Sequence, residues 1–519
     1  MHCNRTWAAL LTTLVILGAC STDDPPAADD GSQPEAWIAP LEVSDSTVDP
    51  NAELTPDEVT APNDDLDDAS ELEAADLDDA AMQDADPEDI AAADDEADAD
   101  EDEQVDEAAN DSTDADSPAL PSDLAEAVQA QIPTKIKYVL VIIKENHTFD
   151  NYFTGFDGAT SSKYAYKWNG TKRVKFLRPF APNGKLPSAP GHSHHKALMA
   201  YRHGHMDGFS TNPGPVPYMR YKQDQIPNYW KYASDYVLAD HVFSESLAPS
   251  SPGHETFWFA RSTTIDNPTC HLPGGTGCGH GCTGTHLTAT TFNPRTGKER
   301  TVKPCFDLPS LPDHLPRGFN WIDYGGALAK QIKSQMHVSA DHYASTPRLL
   351  KDMQNGVVHN LMIAHIDGGP FSEHPPEGPC NGERFTTEVI NAAMKLPEWK
   401  HMAIVVTWDD WGGFYDHVRP PVHKSENGAI YGRGFRLPLI IISPYAKKHF
   451  VLKTQAEQAS VPRLIEELWG MKFMSTRNAH ARDGRAGSLM GAFDFSQTPR
   501  APISLPIRSC PGDPRMMAE

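Results

Sequence analysis

The stretch Lys135–Phe156, KIKYVLVIIKENHTFDNYFTGF, decides how the rest of the chain is read. Ile136 to Ile143 is a β-branched apolar run, the pattern of a strand buried on both faces. It stops at Glu145-Asn146, a carboxylate beside a carboxamide, and aromatics in a turn-rich stretch follow. In open α/β sheets, ligands bind beyond the carboxyl ends of the strands. Two oxygen donors at such an end suit a hard divalent cation. Taken alone, the pair reads equally well as a solvated Glu and an Asn capping the next helix.

A second stretch of the same design shifts that balance. In Met402–His417, MAIVVTWDDWGGFYDH, the apolar run Ala403 to Thr407 feeds Asp409-Asp410 and then a Gly-Gly turn. Adjacent acids behind a buried strand repel each other unless a cation neutralises them. Glu145, Asn146, Asp409 and Asp410 are therefore expected to form one anionic, oxygen-rich pocket from two strand ends.

Outside these stretches the 519 residues divide unevenly. Residues 1–20 carry Arg5, an apolar core Ala8 to Leu17 and Leu17-Gly18-Ala19-Cys20, which resembles a bacterial lipoprotein signal with lipidation at Cys20; an ordinary secretory peptide is the alternative. The apolar run is too short to span a bilayer, so membrane attachment is expected through lipid alone. Residues 21–130 hold 39 of the chain's 72 acidic residues and no Lys or Arg, which describes a disordered, self-repelling acidic tether. Residues 131–519 then carry 43 basic against 33 acidic residues, a net +10 beneath a whole-chain charge of −28. A basic globule favours anionic substrates or surfaces, although a generically basic surface would give the same count. Nothing points to nucleic acid as a partner.

Beyond Cys3 and Cys20, six cysteines remain: Cys270, Cys278, Cys282, Cys305, Cys380 and Cys510. In an exported domain they suggest up to three disulfides. Within the Gly- and Pro-dense stretch 267–316, Cys305 is expected to pair with Cys278 or Cys282. The run from Cys270-His271 to His280 and Cys282 admits a zinc site as the alternative, though its spacing fits no standard ligand pattern.

From Pro133 onward, short apolar runs alternate with helical patterns and no repeat is present. Strands are expected at Tyr236–Val242, Asn360–His365, Ala403–Thr407 and Leu437–Ile442, and helices at Leu349–Asn355, Thr387–Leu396 and Val461–Trp469. The alternation predicts an α/β domain over 131–519 with a mainly parallel sheet. Three further segments collect chemistry: Ser250 between prolines in LAPSSPGH, His192 ahead of Met206-Asp207-Gly208-Phe209, and His342 with the later Ser372-Glu373-His374-Pro375-Pro376. Taken singly, each reads as well as a turn serine or an exposed histidine, the chain having 23 of the latter.

Together, ENHTFDNYF, LAPSSPGHETF, HIDGGPFSEHPP, TWDDWGGFYDHVRPP and GFRLPLIIISPYAK resemble the bacterial phosphoesterase family of phospholipases C and acid phosphatases. The likeness runs in order from Lys135 to Phe495. It implies an alkaline-phosphatase-like fold, a three-layer sandwich around the parallel sheet. It also implies one divalent ion, of open identity, held by Glu145, Asn146, Ser250, Asp409 and Asp410. Ser250 takes the place of the family's nucleophilic Ser or Thr, with Ala248 standing where the family has glycine. Asp410 stands where some relatives carry Glu. His192, His342 and His374 fall on the phosphate-binding histidines, His342 in the loosest match.

The chemistry follows from those roles. A serine hydroxyl needs a base or a metal to become a nucleophile at neutral pH. A phosphoserine would form at Ser250 and be hydrolysed by water, with histidines neutralising phosphoryl oxygens and one protonating the leaving alcohol. Phospholipids and small phosphomonoesters both fit as substrates. A serine esterase would need a G-x-S-x-G elbow, which does not occur. The reading from a different class is a non-catalytic surface lipoprotein with a decayed phosphoesterase site.

Overall fold

The computed structural model describes residues 133–511 except 212–213, 276, 279–280, 327–339 and 477–479. The expected signal peptide, Cys20 and the acidic tether lie outside the described residues.

The core is a nine-stranded sheet, with strands named here in chain order: β1 (Tyr138–Lys144), β2 (Val237–Phe243), β3 (Trp321–Tyr324), β4 (Tyr343–Ala344), β5 (Leu361–His365), β6 (Met402–Trp408), β7 (Arg436–Ile442), β8 (Phe450–Leu452) and β9 (Ala456–Glu457). Their spatial order is β8-β2-β7-β6-β1-β5-β3-β4, with β9 also beside β2. All ladders are parallel except those that β7 makes with β6 and β2.

β6 and β7 are buried at every position and β1 at all but its first, as the unbroken apolar runs require when both faces are covered. Helices supply the cover in two groups. Pro227–Asp235 (α3), Thr346–Asn355 (α5) and Cys380–Ala393 (α6) pack together, and Ser250–Phe259 (α4) packs with Ser460–Trp469 (α7). Two shorter helices, Phe149–Tyr152 (α1) and His194–Tyr201 (α2), complete the α-helices of the described residues. The result is the expected three-layer α/β arrangement.

The expected strands fall within two residues of those observed. β3, β4, β8, β9 and α1 to α4 were not foreseen: the four strands have two to four residues each, and Pro252-Gly253 made α4 read as a turn. α6 begins at Cys380, seven residues before its expected start, because its first turn (Cys-Asn-Gly-Glu) carries no apolar period.

The stretch 267–316 forms a small three-stranded sheet, Thr269–Cys270, Leu287–Phe292 and Glu299–Val302. Disulfides Cys270–Cys278 and Cys282–Cys305 tie it, the second being one of the two pairings expected for Cys305. A third bond, Cys380–Cys510, fastens the C-terminal segment to α6. The zinc alternative falls here, since disulfide sulfurs offer no thiolate. No helix of the described residues is long and apolar enough to cross a membrane.

Candidate active site

Parallel register builds the site. Ile143 pairs with Thr407 and Lys144 with Trp408, so Glu145-Asn146 and Asp409-Asp410 leave the sheet side by side. The Asp409 N–H donates to Lys144 O at 2.9 Å and continues the ladder one step past the strands. The Asn146 backbone is then forced into the left-handed region, φ 66°, a costly conformation held by its N–H donating to Asp409 Oδ1 at 2.7 Å. Asp410 N–H donates to the same oxygen at 2.7 Å. Asn146 Nδ2 donates to Glu145 Oε2 at 2.8 Å.

Those bonds aim the other oxygens inward. Asn146 Oδ1 and Asp409 Oδ2 are both buried without a hydrogen-bond partner. A buried acceptor left unpaired costs roughly 1–3 kcal/mol, and two beside a fully buried Glu145 and Asp410 make a set that suits a hard cation. Electrostatics agree: burial and then Asp409 push Glu145 up to about 8, and the same causes hold Asp410 well above the usual carboxylate range. A shared divalent cation would relieve both.

Ser250 is the first residue of α4, where the leading N–H groups lack intrahelical partners and favour an anion. Its Oγ donates to Asp410 Oδ2 at 2.9 Å. Gly253 makes that proximity possible: a Cβ there would lie 2.1 Å from Asp409 O, so only glycine lets α4 press against the end of β6. Gly412 has φ 58° and passes equally close to Asn146 O, where a Cβ would sit 2.2 Å away.

Of the histidines expected at the phosphate, two converge. His192 Nε2 stands 3.8 Å from Asp410 Oδ2, its Nδ1 3.0 Å from Pro190 O, and its ring 5.9 Å from that of His374. His374 is held by Ser372 and sits one residue after Glu373, whose buried carboxylate accepts bonds from Tyr152 and Tyr229 and pairs with Lys144 at 3.3 Å. A cavity of about 750 Å³ opens beside His374, lined by Gly368, Gly369, Pro370, Pro375 and Pro376 among others. His342 is not brought in: it stacks on Trp321, the first residue of β3, with Nδ1 2.7 Å from Trp321 O, at the strand end away from the carboxylates.

Two residues at the site went unassigned in the sequence reading. His254 Nε2 lies 3.1 Å from Glu145 Oε1 and 3.6 Å from Asp409 Oδ2. Its Nδ1 is 2.7 Å from His365 Nδ1, and Trp258 Nε1 donates to His365 Nε2 at 2.8 Å. The signal for His254 was available, since it follows Ser250 by four residues and so shares its helix face. His365 is the last residue of β5, paired with Ile143.

The indole can only donate, so neutral His365 carries its proton on Nδ1 and donates to His254. His254 in turn presents Nε2–H to Glu145. Burial opposes charge on His254, but Glu145 and then Asp409 outweigh it and raise its pKa to about 9. A cation shared by those carboxylates would remove that pull and leave the neutral chain of donors intact.

A second cluster of Asp150, Asp416 and His417 is not of this kind. Arg436 Nε lies 2.8 Å from Asp416 Oδ1, and both Arg436 and Arg178 face Asp150, so its charges are already paired. A sulfatase of this fold is expected to be excluded by the lack of a C/S-x-P-x-R setting; that spacing does occur, at Ser504–Arg508, but Arg508 is paired with Glu383 at 2.5 Å.

A serine, an anionic oxygen cradle and two histidines thus meet at the strand ends. The chain belongs to the Phosphoesterase family, whose model matches residues 136–472. It is 32% identical to the non-specific phospholipase C1 of Arabidopsis thaliana over 431 residues, 72% of this chain and 74% of that protein. It is 24% identical to phospholipase C A of Mycobacterium tuberculosis, covering 71% and 79%. With the hemolytic phospholipase C of Pseudomonas aeruginosa it shares 23% identity, covering 72% of this chain and 58% of that one. Among solved structures, a phosphonate monoester hydrolase from Silicibacter pomeroyi matches at 13% identity and TM-score 0.29, over 53% and 72% of the two chains.

Proposed function

We propose that the chain is a phospholipase C-like enzyme that transfers a phosphoryl group to Ser250 and then to water. The observation that carries this reading is Ser250 Oγ at 2.9 Å from Asp410 Oδ2, beside the two unpaired buried oxygens of Asn146 and Asp409.

Glu145, Asn146, Asp409, Asp410 and Ser250 are the residues that would hold one divalent cation, which when bound lowers the pKa of the serine hydroxyl and neutralises the carboxylates. Asp410 Oδ2 orients that hydroxyl. Ser250 Oγ gives its proton to Asp410 and attacks phosphorus, the bond to the leaving alcohol breaks, and a phosphoserine forms that still carries the headgroup when the substrate is a diester. His192 and His374 neutralise the phosphoryl oxygens, and one of them donates the proton the alcohol needs. Water then displaces Ser250. The cavity beside His374 takes the part of the substrate beyond the phosphate. His342 has no part in this scheme.

The relatives' names favour a phospholipid over a small phosphomonoester. All of the polar side chains expected around Ser250 except His342 stand at the strand ends, which argues against a decayed site on a non-catalytic lipoprotein. Residues 1–20 act as the export signal, Cys20 carries the lipid, and the acidic segment 21–130 spaces the enzyme from that anchor. The test is a panel of p-nitrophenyl phosphate, p-nitrophenyl phosphorylcholine and phospholipid vesicles, each with and without chelator. Chelator-sensitive cleavage of the diester and the vesicles, above that of the monoester, is expected. Preference for the monoester would overturn the phospholipase reading.

A further inference from the structure

A hairpin near the site carries its apolar side chains on the wrong face. Strands Tyr164–Trp168 and Arg173–Leu177 pair as Tyr164 with Leu177, Tyr166 with Lys175 and Trp168 with Arg173. Directly opposed residues share a face, so these six form one surface of alternating rings and cations. The opposite face packs inward through Ala165 and Phe176. In a hairpin folded onto a core, the outward face should be polar. Here Tyr164 and Trp168 are each 38% exposed and Leu177 58%.

The rings are capped by cations. Arg173 lies 3.7 Å from the Tyr166 ring, Lys175 4.7 Å from Tyr164 and Arg202 4.3 Å from Trp168. Charge reinforces the pattern: residues 158–206 contain nine Lys or Arg and no Asp or Glu. Tyr and Trp beside Lys and Arg, with an apolar Leu, are the side chains that settle at the headgroup level of a bilayer.

The hairpin is also tied to the site. Trp168 N–H donates to Asp207 O and Arg173 Nη2 to His205 O, each at 2.8 Å. The small apolar cluster beneath it includes Trp411, which follows Asp410 and whose Nε1 donates to His192 O at 3.2 Å.

We propose that the outward face of the hairpin Tyr164–Leu177 docks on an anionic phospholipid bilayer, with Tyr164, Trp168 and Leu177 entering the interface and the surrounding cations meeting lipid phosphates. The choice of a bilayer over another polyanion rests on the phospholipase reading above. Docking there presents to the membrane the flank of the enzyme that carries His192, and each nearby cation is attracted to anionic lipid.

The experiment is sedimentation with large unilamellar vesicles of phosphatidylcholine, alone or with roughly 30 mol % phosphatidylglycerol as the anionic component. The full chain carries Cys20→Ser, so that no acyl chain binds for it, and Ser250→Ala, so that the vesicles are not consumed. Binding to the anionic vesicles is expected, weakened at high salt and at least several-fold weaker to phosphatidylcholine alone. Tyr164→Ser with Trp168→Ser should lower the partition coefficient by roughly tenfold or more. In a chain that retains Ser250, the same pair should leave turnover of p-nitrophenyl phosphorylcholine unchanged. Trp168→Ser alone, with a smaller drop expected, serves if the double variant does not fold.

Unchanged partitioning of these variants, or binding abolished by Arg173→Glu with Lys175→Glu but indifferent to the rings, would overturn the proposal; the latter result means a polyanion patch that enters no bilayer. Loss of vesicle binding in a chain that still cleaves phospholipid sinks the docking surface alone. Binding without any phospholipid cleavage sinks the reaction instead.

Discussion

Trp258 Nε1 donates to His365 Nε2 at 2.8 Å, and this one bond sets the tautomers of two histidines behind the carboxylates. With both rings neutral it leaves His254 with its Nε2 proton directed at Glu145; His254 belongs with Glu145 and Asp409 to a group that could hold a metal ion, and its expected role there is to orient the carboxylates. Partners that orient ligands in this way typically change metal affinity by 10–100-fold when removed. His254→Ala is expected to weaken divalent-ion binding by that order in equilibrium dialysis. His254→Gln keeps an N–H donor for Glu145 and should recover most of the loss. Equal losses in the two variants would make His254 itself a ligand.

Removing a charge from the cradle should be more severe. Asp409→Asn is expected to lower activity by orders of magnitude and to bring bound metal below stoichiometric by elemental analysis. The fold should survive, because Asp409 Oδ1 accepts the Asn146 and Asp410 N–H bonds and an amide oxygen can replace it. Full activity in metal-free protein would refute the cation's role.

The two strand ends were legible because acids behind an apolar run are costly without a purpose, and register alone brought Glu145 and Asp409 together. Ser250 stood out as a serine between prolines, which reads as well as a turn residue, and the family resemblance gave it the nucleophile's role. Its helix was hidden by Pro252 and by Gly253, the latter kept for the close approach to Asp409 O. His254 and His365 were masked by the abundance of histidines, and what marks them is the link from Trp258 across two elements, a tertiary fact. His342 shows the converse: a histidine in a loose match stacks on Trp321 instead.

Stability should depend on pH through Glu466. Burial and then Asp483 raise its pKa from 4.5 to about 9. The folded chain thus keeps this proton longer than the unfolded one, and the stabilisation it gives is full below pH 4.5 and lost as pH rises toward 9. Glu466→Gln is expected to melt with the wild type near pH 4.5 and a few degrees above it at pH 9. A variant that melts lower at both ends would contradict this.

The disulfides should differ in weight. Cys380–Cys510 closes a separation of 130 residues and Cys270–Cys278 one of only 8. Loop-closure entropy then assigns about 5 kcal/mol to the first and about 2.5 kcal/mol to the second. Cys510→Ser is expected to lower the melting temperature more than Cys270→Ser with Cys278→Ser. Six reactive thiols among these cysteines in the unreduced, denatured protein would remove the basis of both figures.

The mechanism requires Ser250 to carry the substrate's phosphorus, and the adduct can be trapped. Enzyme mixed with p-nitrophenyl phosphorylcholine and quenched in acid within one turnover should yield a peptide containing Ser250 with the added mass of phosphorylcholine. Ser250→Ala should yield none and should lose turnover while remaining folded. The adduct on Ser251, or near wild-type turnover by Ser250→Ala, would contradict the account.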